Sequence, residues 1–200
     1  MKVNTYTTIA STFSAKLVIK KSTFLSFAIP VDKEQDVEVL LRDFKKKYYD
    51  ARHICYAYSL SPDASVSTSS DNGEPSGTAG RPIMGVLLSN QLTNILIVVI
   101  RYFGGIKLGT SGLIAAYKGA AEEVLAISER KTVTVEHHYT FQFGFQDLNQ
   151  VMKLLKTHAV KVLSNQVDTV CQISISLPVE KEDLLLPQLH KVSSLKFLDA

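Results

Sequence analysis

"NILIVVIRYFGGIKLGTSGLIAAYKGAAEEVLAIS", Asn94 to Ser128, decides the architecture of the larger part of this chain. Its first ten residues are a nearly continuous apolar run, the pattern of a strand buried on both faces. "GGIKLGTSG", Gly104 to Gly112, then breaks regular structure, and a long helix is expected over Ser111 to Ser128. Ala115, Ala116, Gly119, Ala120 and Ala121 line that helix and would let it lie close to a sheet. Gly119 costs the helix roughly 1 kcal/mol unless such a close approach requires it.

Working outward, the stretch from Lys16 to Phe27 reads as two strands, rich in β-branched and aromatic residues. Asp32 is placed to cap a helix in which Val37, Leu40, Leu41 and Phe44 recur on one face, and Lys45, Lys46 and Lys47 form its solvated end. "ARHICYAYSL", residues 51–60, alternates as a strand, with His53, Cys55 and Ala57 on one face and Ile54, Tyr56 and Tyr58 on the other. "SPDASVSTSSDNGEPSG" is loop by composition, and a short helix is expected over Ala79 to Asn90.

The character changes near residues 131–138, where a domain boundary is expected, dividing the chain into 1–134 and 135–200. In the second part Tyr139, Phe141, Phe143 and Phe145 alternate as a strand, and Asp147 caps a helix carrying Leu148, Val151, Met152 and Leu155. Two strands then meet at Ser164-Asn165, a helical stretch near Glu182 to Val192 is interrupted by Pro187, and "SLKFL" returns as a last strand. The resulting order, βαββαβ, is that of a ferredoxin-like split βαβ domain.

Two hundred residues, 46% of them hydrophobic, are enough for a genuine core. The first 30 residues hold no uninterrupted apolar segment and the longest strongly apolar run, Ile95 to Ile100, is far below a spanning length, so the expectation is a cytoplasmic chain with no membrane partner. Cys55 and Cys171 lie far apart without metal-ligand spacing and read as small buried hydrophobes. The net charge of +3 is modest, but its distribution is uneven. From Pro75 to Ala121 there is no carboxylate, while Arg81, Arg101, Lys107 and Lys118 supply four cations. The glycine-rich middle of the chain is therefore locally basic.

"RYFGGIKLGTSGL" follows a buried strand and opens a helix, the arrangement in which free backbone N–H groups and the helix dipole bind an anion. It is not a Walker loop, since Thr110 and Ser111 stand where Lys and then Ser or Thr are needed. A tight turn with close helix packing is the other reading of its glycines. In "DNGEPSGTAGRP", residues 71–82, Asp71 and Glu74 have the charge and spacing to hold a divalent cation or act as an acid/base pair, but Asp-Asn-Gly is equally simple turn chemistry. Ser76 and Thr78 have no recognisable base and read as helix caps. His53 serves either as a general base or as a hydrogen-bonded strand residue. His137, His138, His158 and His190 have no metal spacing and receive no role.

These residues resemble one family, that of the bacterial YigZ proteins and the amino-terminal domain of the eukaryotic IMPACT proteins. "ARHICYAY", "DNGEPSGTAGRPI" and "VVIRYFGGIKLGTSGLIAAY" look like its signature blocks, and "KKSTF" looks like its "KKSRF" start. The resemblance covers nearly the whole chain. It implies an α+β protein: an amino-terminal domain like the second domain of ribosomal protein S-five, with helices on one side of a mixed sheet and a left-handed βαβ crossover. It also implies a ferredoxin-like carboxy-terminal domain similar to the last domain of elongation factor G. The eukaryotic relatives are translational regulators that compete for the activator of a stress kinase, a pathway that is not carried over to a bacterial-type chain. Departures from the family pattern are Asn72 for a second Asp, Ala115 for a basic residue before "AY", and Arg81 for a Lys.

Three functions follow as expectations. The first is a non-enzymatic protein binding RNA or the ribosome, a regulator of translation, with Arg81, Arg101, Lys107 and Lys118 on phosphates and Gly104, Gly105, Gly109 and Gly112 allowing close approach. The second is an enzyme acting on a phosphorylated small molecule or nucleotide through Asp71, Glu74 and His53. The third is a protein-interaction adaptor. Gly73, Ser76, Gly77, Thr78 and Tyr102 join His53, Asp71 and Glu74 as motif residues without an assigned role. No catalytic residue, cofactor or metal is assigned.

Overall fold

The computed structural model describes residues 2–198. The chain runs β1 (Thr5–Ile9), β2 (Phe13–Ile19), β3 (Ser22–Pro30), α1 (Glu34–Lys47), β4 (His53–Leu60), β5 (Val66–Ser70), α2 (Gly80–Ser89), β6 (Ile95–Tyr102), α3 (Gly109–Ala126) and β7 (Arg130–Thr134). It continues with β8 (Glu136–Gly144), α4 (Leu148–Thr157), β9 (Lys161–Gln166), β10 (Val170–Pro178), α5 (Val179–Leu189) and β11 (Lys196–Leu198). Residues 5–133 form one compact unit, and residues 2–4 with 134–198 form another.

The first unit is organised by β6, the middle strand of a five-stranded sheet ordered β2-β3-β6-β4-β5. Ile95 to Ile100 are all fully buried, as their continuous apolar run predicts. Alternation sends Ile95, Ile97 and Val99 to a core shared with α2 and α3, and Leu96, Val98 and Ile100 to a second core shared with Val37, Leu40, Leu41 and Phe44 of α1. Two corrections to the expected architecture follow. The helices cover both faces, because a strand apolar on both sides leaves neither face fit for water; and every pairing in this sheet is antiparallel, not mixed. The segment Val66–Ser70, read as loop, is an edge strand paired with β4; its Ser and Thr side chains are mostly exposed, so cross-strand pairing sets its conformation rather than burial.

α3 buries Leu113, Ala116, Tyr117, Ala120, Ala121 and Val124 against the sheet. Gly119 is not what permits this approach: a Cβ there would meet Leu17 Cδ2 at 3.4 Å, ordinary contact. Gly104 is different, since a Cβ there would lie 2.0 Å from the Lys21 carbonyl carbon. Asp32 does not cap α1; its carboxylate accepts from Asn94 Nδ2 at 2.9 Å, and Lys33 holds the N-cap position.

In the second unit β8, α4, β9, β10, α5 and β11 follow in that order, and the strands lie β11-β8-β10-β9, all antiparallel. Phe141, Phe143, Ile173, Ile175 and Leu177 pack against Val151 and Leu155 of α4 and Leu185 and Leu189 of α5. Ser164 and Asn165 lie within β9, and the turn falls at residues 167–169. Asp147 stands at the N-cap of α4 without capping it, because its carboxylate accepts from the Ser194 hydroxyl. α5 begins at Val179 and passes through Pro187, whose missing N–H is tolerated because Leu185 and Leu189 are fully buried beside it. Buried Glu182 accepts from Lys2 Nζ, Tyr139 Oη and His137 Nδ1. Burial alone would raise its carboxyl, but these donors hold it below the usual value of 4.5.

The two glycines separate in a urea unfolding experiment. Gly119→Ala raises stability by about 0.5–1 kcal/mol through helix propensity, whereas Gly104→Ala lowers it by about 1–3 kcal/mol because backbone atoms must move.

Candidate functional site

Arg101 ends the apolar run of β6 and is 7% exposed, so its charge demands a partner. Register places it opposite His53 of β4 and Phe24 of β3. Glu74 supplies the partner: Arg101 Nη1 donates to Glu74 Oε1 at 2.7 Å, and the fully buried Tyr117 of α3 donates its hydroxyl to the same oxygen at 2.8 Å. His53 Nε2 stands 4.0 Å from that oxygen. Burial, with Cys55 and Glu74 alongside, raises the Tyr117 phenol, so it stays protonated as a donor. Among the described residues Arg101 Nε has no hydrogen-bond partner, and the guanidinium lies 5.6 Å from the Phe103 ring and 5.8 Å from that of Phe24.

Asp71 holds the loop that delivers Glu74. Its carboxylate accepts from the N–H groups of Gly77 (2.8 Å), Ala79 (2.9 Å) and Gly80 (2.8 Å), capping α2 from eight or nine residues away where the N-cap residue itself provides no side chain. Burial would raise the Asp71 carboxyl, but those three donors and the Arg81 charge outweigh it and hold the carboxyl below 3.8. Cys55 Sγ donates to the Asp71 carbonyl, and burial pushes its thiol up to about 12, which makes it unreactive. Asn72, at φ +39°, donates from Nδ2 to the Ile54 carbonyl, and its own carbonyl faces His53 Nδ1 at 3.1 Å.

Above this network opens a cleft of about 540 Å³. Glu74, Arg101 and His53 line it, Arg52 and Lys107 add cations, Tyr102 and Phe103 add aromatic walls, and Gly109, Thr110 and Leu113 bring in the start of α3. Among the described residues no side chain caps that 18-residue helix, so the positive end of its dipole lies at the cleft, which Gly109 and Thr110 line. Asp50 is also at the cleft, accepting from the Tyr102 hydroxyl at 2.9 Å.

The structure thus gathers some sequence candidates and leaves others aside. Arg101, Lys107, Gly109, His53, Glu74 and Tyr102 line the cleft. Arg81 does not; it is exposed on α2, with its charge acting on Asp71. Lys118 is exposed on α3, 3.6 Å from Glu122 in a surface pair. Gly104 serves the close approach to Lys21, Gly105 takes φ +84°, and Gly112 sits against Leu108 in the first turn of α3. Gly73, at φ +85°, lies beside the His53 ring; Ser76 is exposed; Thr78 donates to the Pro75 carbonyl. Arg52, Phe103 and above all Tyr117 were not singled out from the sequence. Tyr117 carried a readable signal, a phenol on the apolar face of a small-residue helix, which must find a buried acceptor.

Residues 20–125 match the family described as the Impact N-terminal domain. Over 138 residues the chain is 38% identical to IMPACT family member YvyE of Bacillus subtilis, covering 68% of this chain and 64% of that one, just under two thirds of its length. Over 167 residues it is 34% identical to IMPACT family member YigZ of Escherichia coli, covering 82% and 81%. A solved structure described as the crystal structure of a hypothetical protein superposes with a TM-score of 0.75 at 28% identity, over 100% of this chain and 98% of that one.

Two stability experiments test the network. Glu74→Gln, which leaves the buried guanidinium without a counter-charge, costs about 3 kcal/mol in chemical denaturation, and adding Arg101→Met recovers a large part of it. Asp71→Asn costs about 2–3 kcal/mol near neutral pH. Because the folded Asp71 carboxyl is depressed, the wild-type advantage is present above pH 3.8 and shrinks as pH falls through the lower folded value, which a pH series of melts on both proteins reads directly.

Proposed function

The chain belongs to the IMPACT family, and from that premise and the geometry of the cleft we propose that it is a non-enzymatic protein that binds RNA or the ribosome and acts in translation. The observation that carries this reading is the makeup of the cleft: cations at Arg52 and Lys107, aromatic faces at Tyr102 and Phe103, and an uncapped helix start. Cations that track phosphates beside rings on which bases stack are the combination that single-stranded RNA binding uses. The carboxylates argue for binding over chemistry, since Asp71 is taken up by three backbone donors and Glu74 by Arg101 and Tyr117. The strand order β11-β8-β10-β9 supports reading the second unit as the ferredoxin-like domain similar to the last domain of elongation factor G, in keeping with a ribosomal site of action.

A second reading, an enzyme acting on a phosphorylated small molecule, is favoured by His53. With Nδ1 turned to the Asn72 carbonyl, Nε2 is the nitrogen left for a ligand in the cleft. Thermal stabilisation by nucleotides or sugar phosphates, lost in His53→Ala, supports that reading; the absence of any such shift removes it.

For the RNA reading, the affinity for a short labelled oligouridine is measured against salt. The expected result is a linear fall of log K with log salt, with the slope in Lys107→Ala shallower by about 0.7, one single-strand phosphate contact. An affinity indifferent to salt sinks the reading.

A further inference from the structure

The hairpin between β2 and β3 turns in two residues, Lys20 and Lys21, since Ile19 pairs with Ser22. Both lysines have positive φ, 46° and 68°. Two-residue hairpins favour this conformation because it matches the strand twist, but Asn-Gly enters it far more easily than two residues with long side chains. The sequence therefore holds two adjacent cations in a strained turn where an uncharged pair would fold more readily.

The turn is also fastened in place. Gly104 N–H donates to Ser22 Oγ at 3.2 Å, and the Gly104 backbone sits so close to Lys21 that no side chain fits between them. Next along the Gly104 loop stand Phe103, 56% exposed, Ile106, 43% exposed, and Lys107. Lys20, Lys21 and Lys107 are all exposed, and among the described residues no carboxylate lies within 4 Å of any of them. The turn thus brings two further exposed cations against the loop that carries Phe103 and Lys107, both of which line the cleft, although neither Lys20 nor Lys21 lines it.

Building on the RNA reading, we propose that the Lys20-Lys21 turn is a second phosphate-contact point, over which the backbone of a single strand passes while a base stacks on Phe103. Charge complementarity and the exposed ring together select single-stranded RNA over an acidic peptide, which has no base to stack.

Replacing the turn by its preferred residues separates folding from binding. The variant Lys20→Asn/Lys21→Gly is expected to melt above the wild type, yet to bind the labelled oligouridine several-fold more weakly at low salt. Its log–log salt slope is expected to be shallower by about 1.4, two single-strand contacts. Lys20→Gln/Lys21→Gln, which keeps the turn as it is, must show the same loss. Unchanged affinity and slope in both variants, with Lys107→Ala still weakened, overturns the second contact point and leaves the RNA reading standing. Wild-type binding indifferent to salt brings down both. Competition by polyglutamate as strong as by oligouridine overturns the assignment to RNA.

Discussion

A guanidinium stands at the end of a strand that is apolar on both faces, and much of the first unit is arranged around it. Six consecutive residues of β6 are fully buried, so Arg101 enters an environment where its charge is tolerable only when paired. Glu74 comes to it from a loop, Tyr117 from α3, and His53 from the neighbouring strand. Asp71 in turn fixes the loop by capping α2, so one buried charge ties a loop, two helices and the sheet together.

The same arrangement shapes the surface above. With the carboxylates committed to internal partners, Arg52, Lys107 and the start of α3 dominate the charge of the cleft, next to the rings of Tyr102 and Phe103. Asp50 is the exposed counterweight, and it is engaged by the Tyr102 hydroxyl. The cleft therefore presents cations and aromatic faces beside carboxylates that already have internal partners.

The local patterns were legible. β6 and its two-sided burial, the alternation of β4, the apolar face of α1 and the small-residue face of α3 all follow from periodicity and appear in the structure. What failed had a common cause, the influence of distant residues. Asp32 and Asp147 have the composition of caps but are claimed by Asn94 and Ser194. Val66–Ser70 looks like a loop and is a strand because β4 offers it hydrogen-bond partners. Pro187 should have broken α5, but the buried leucines around it hold the helix.

The sequence by itself determined most of the strands and helices around the core, though not β1, β5 or β7, and that Asn94 to Ser128 makes a buried strand, a glycine-rich break and a helix, because burial and periodicity are local properties. It also showed a middle segment free of acids. Only the tertiary structure decided which charges matter, because pairing depends on distance in space. It set Arg101 on Glu74, moved Arg81 and Lys118 away from the cleft, and brought Lys20 and Lys21, more than eighty residues upstream of Lys107, against the same loop.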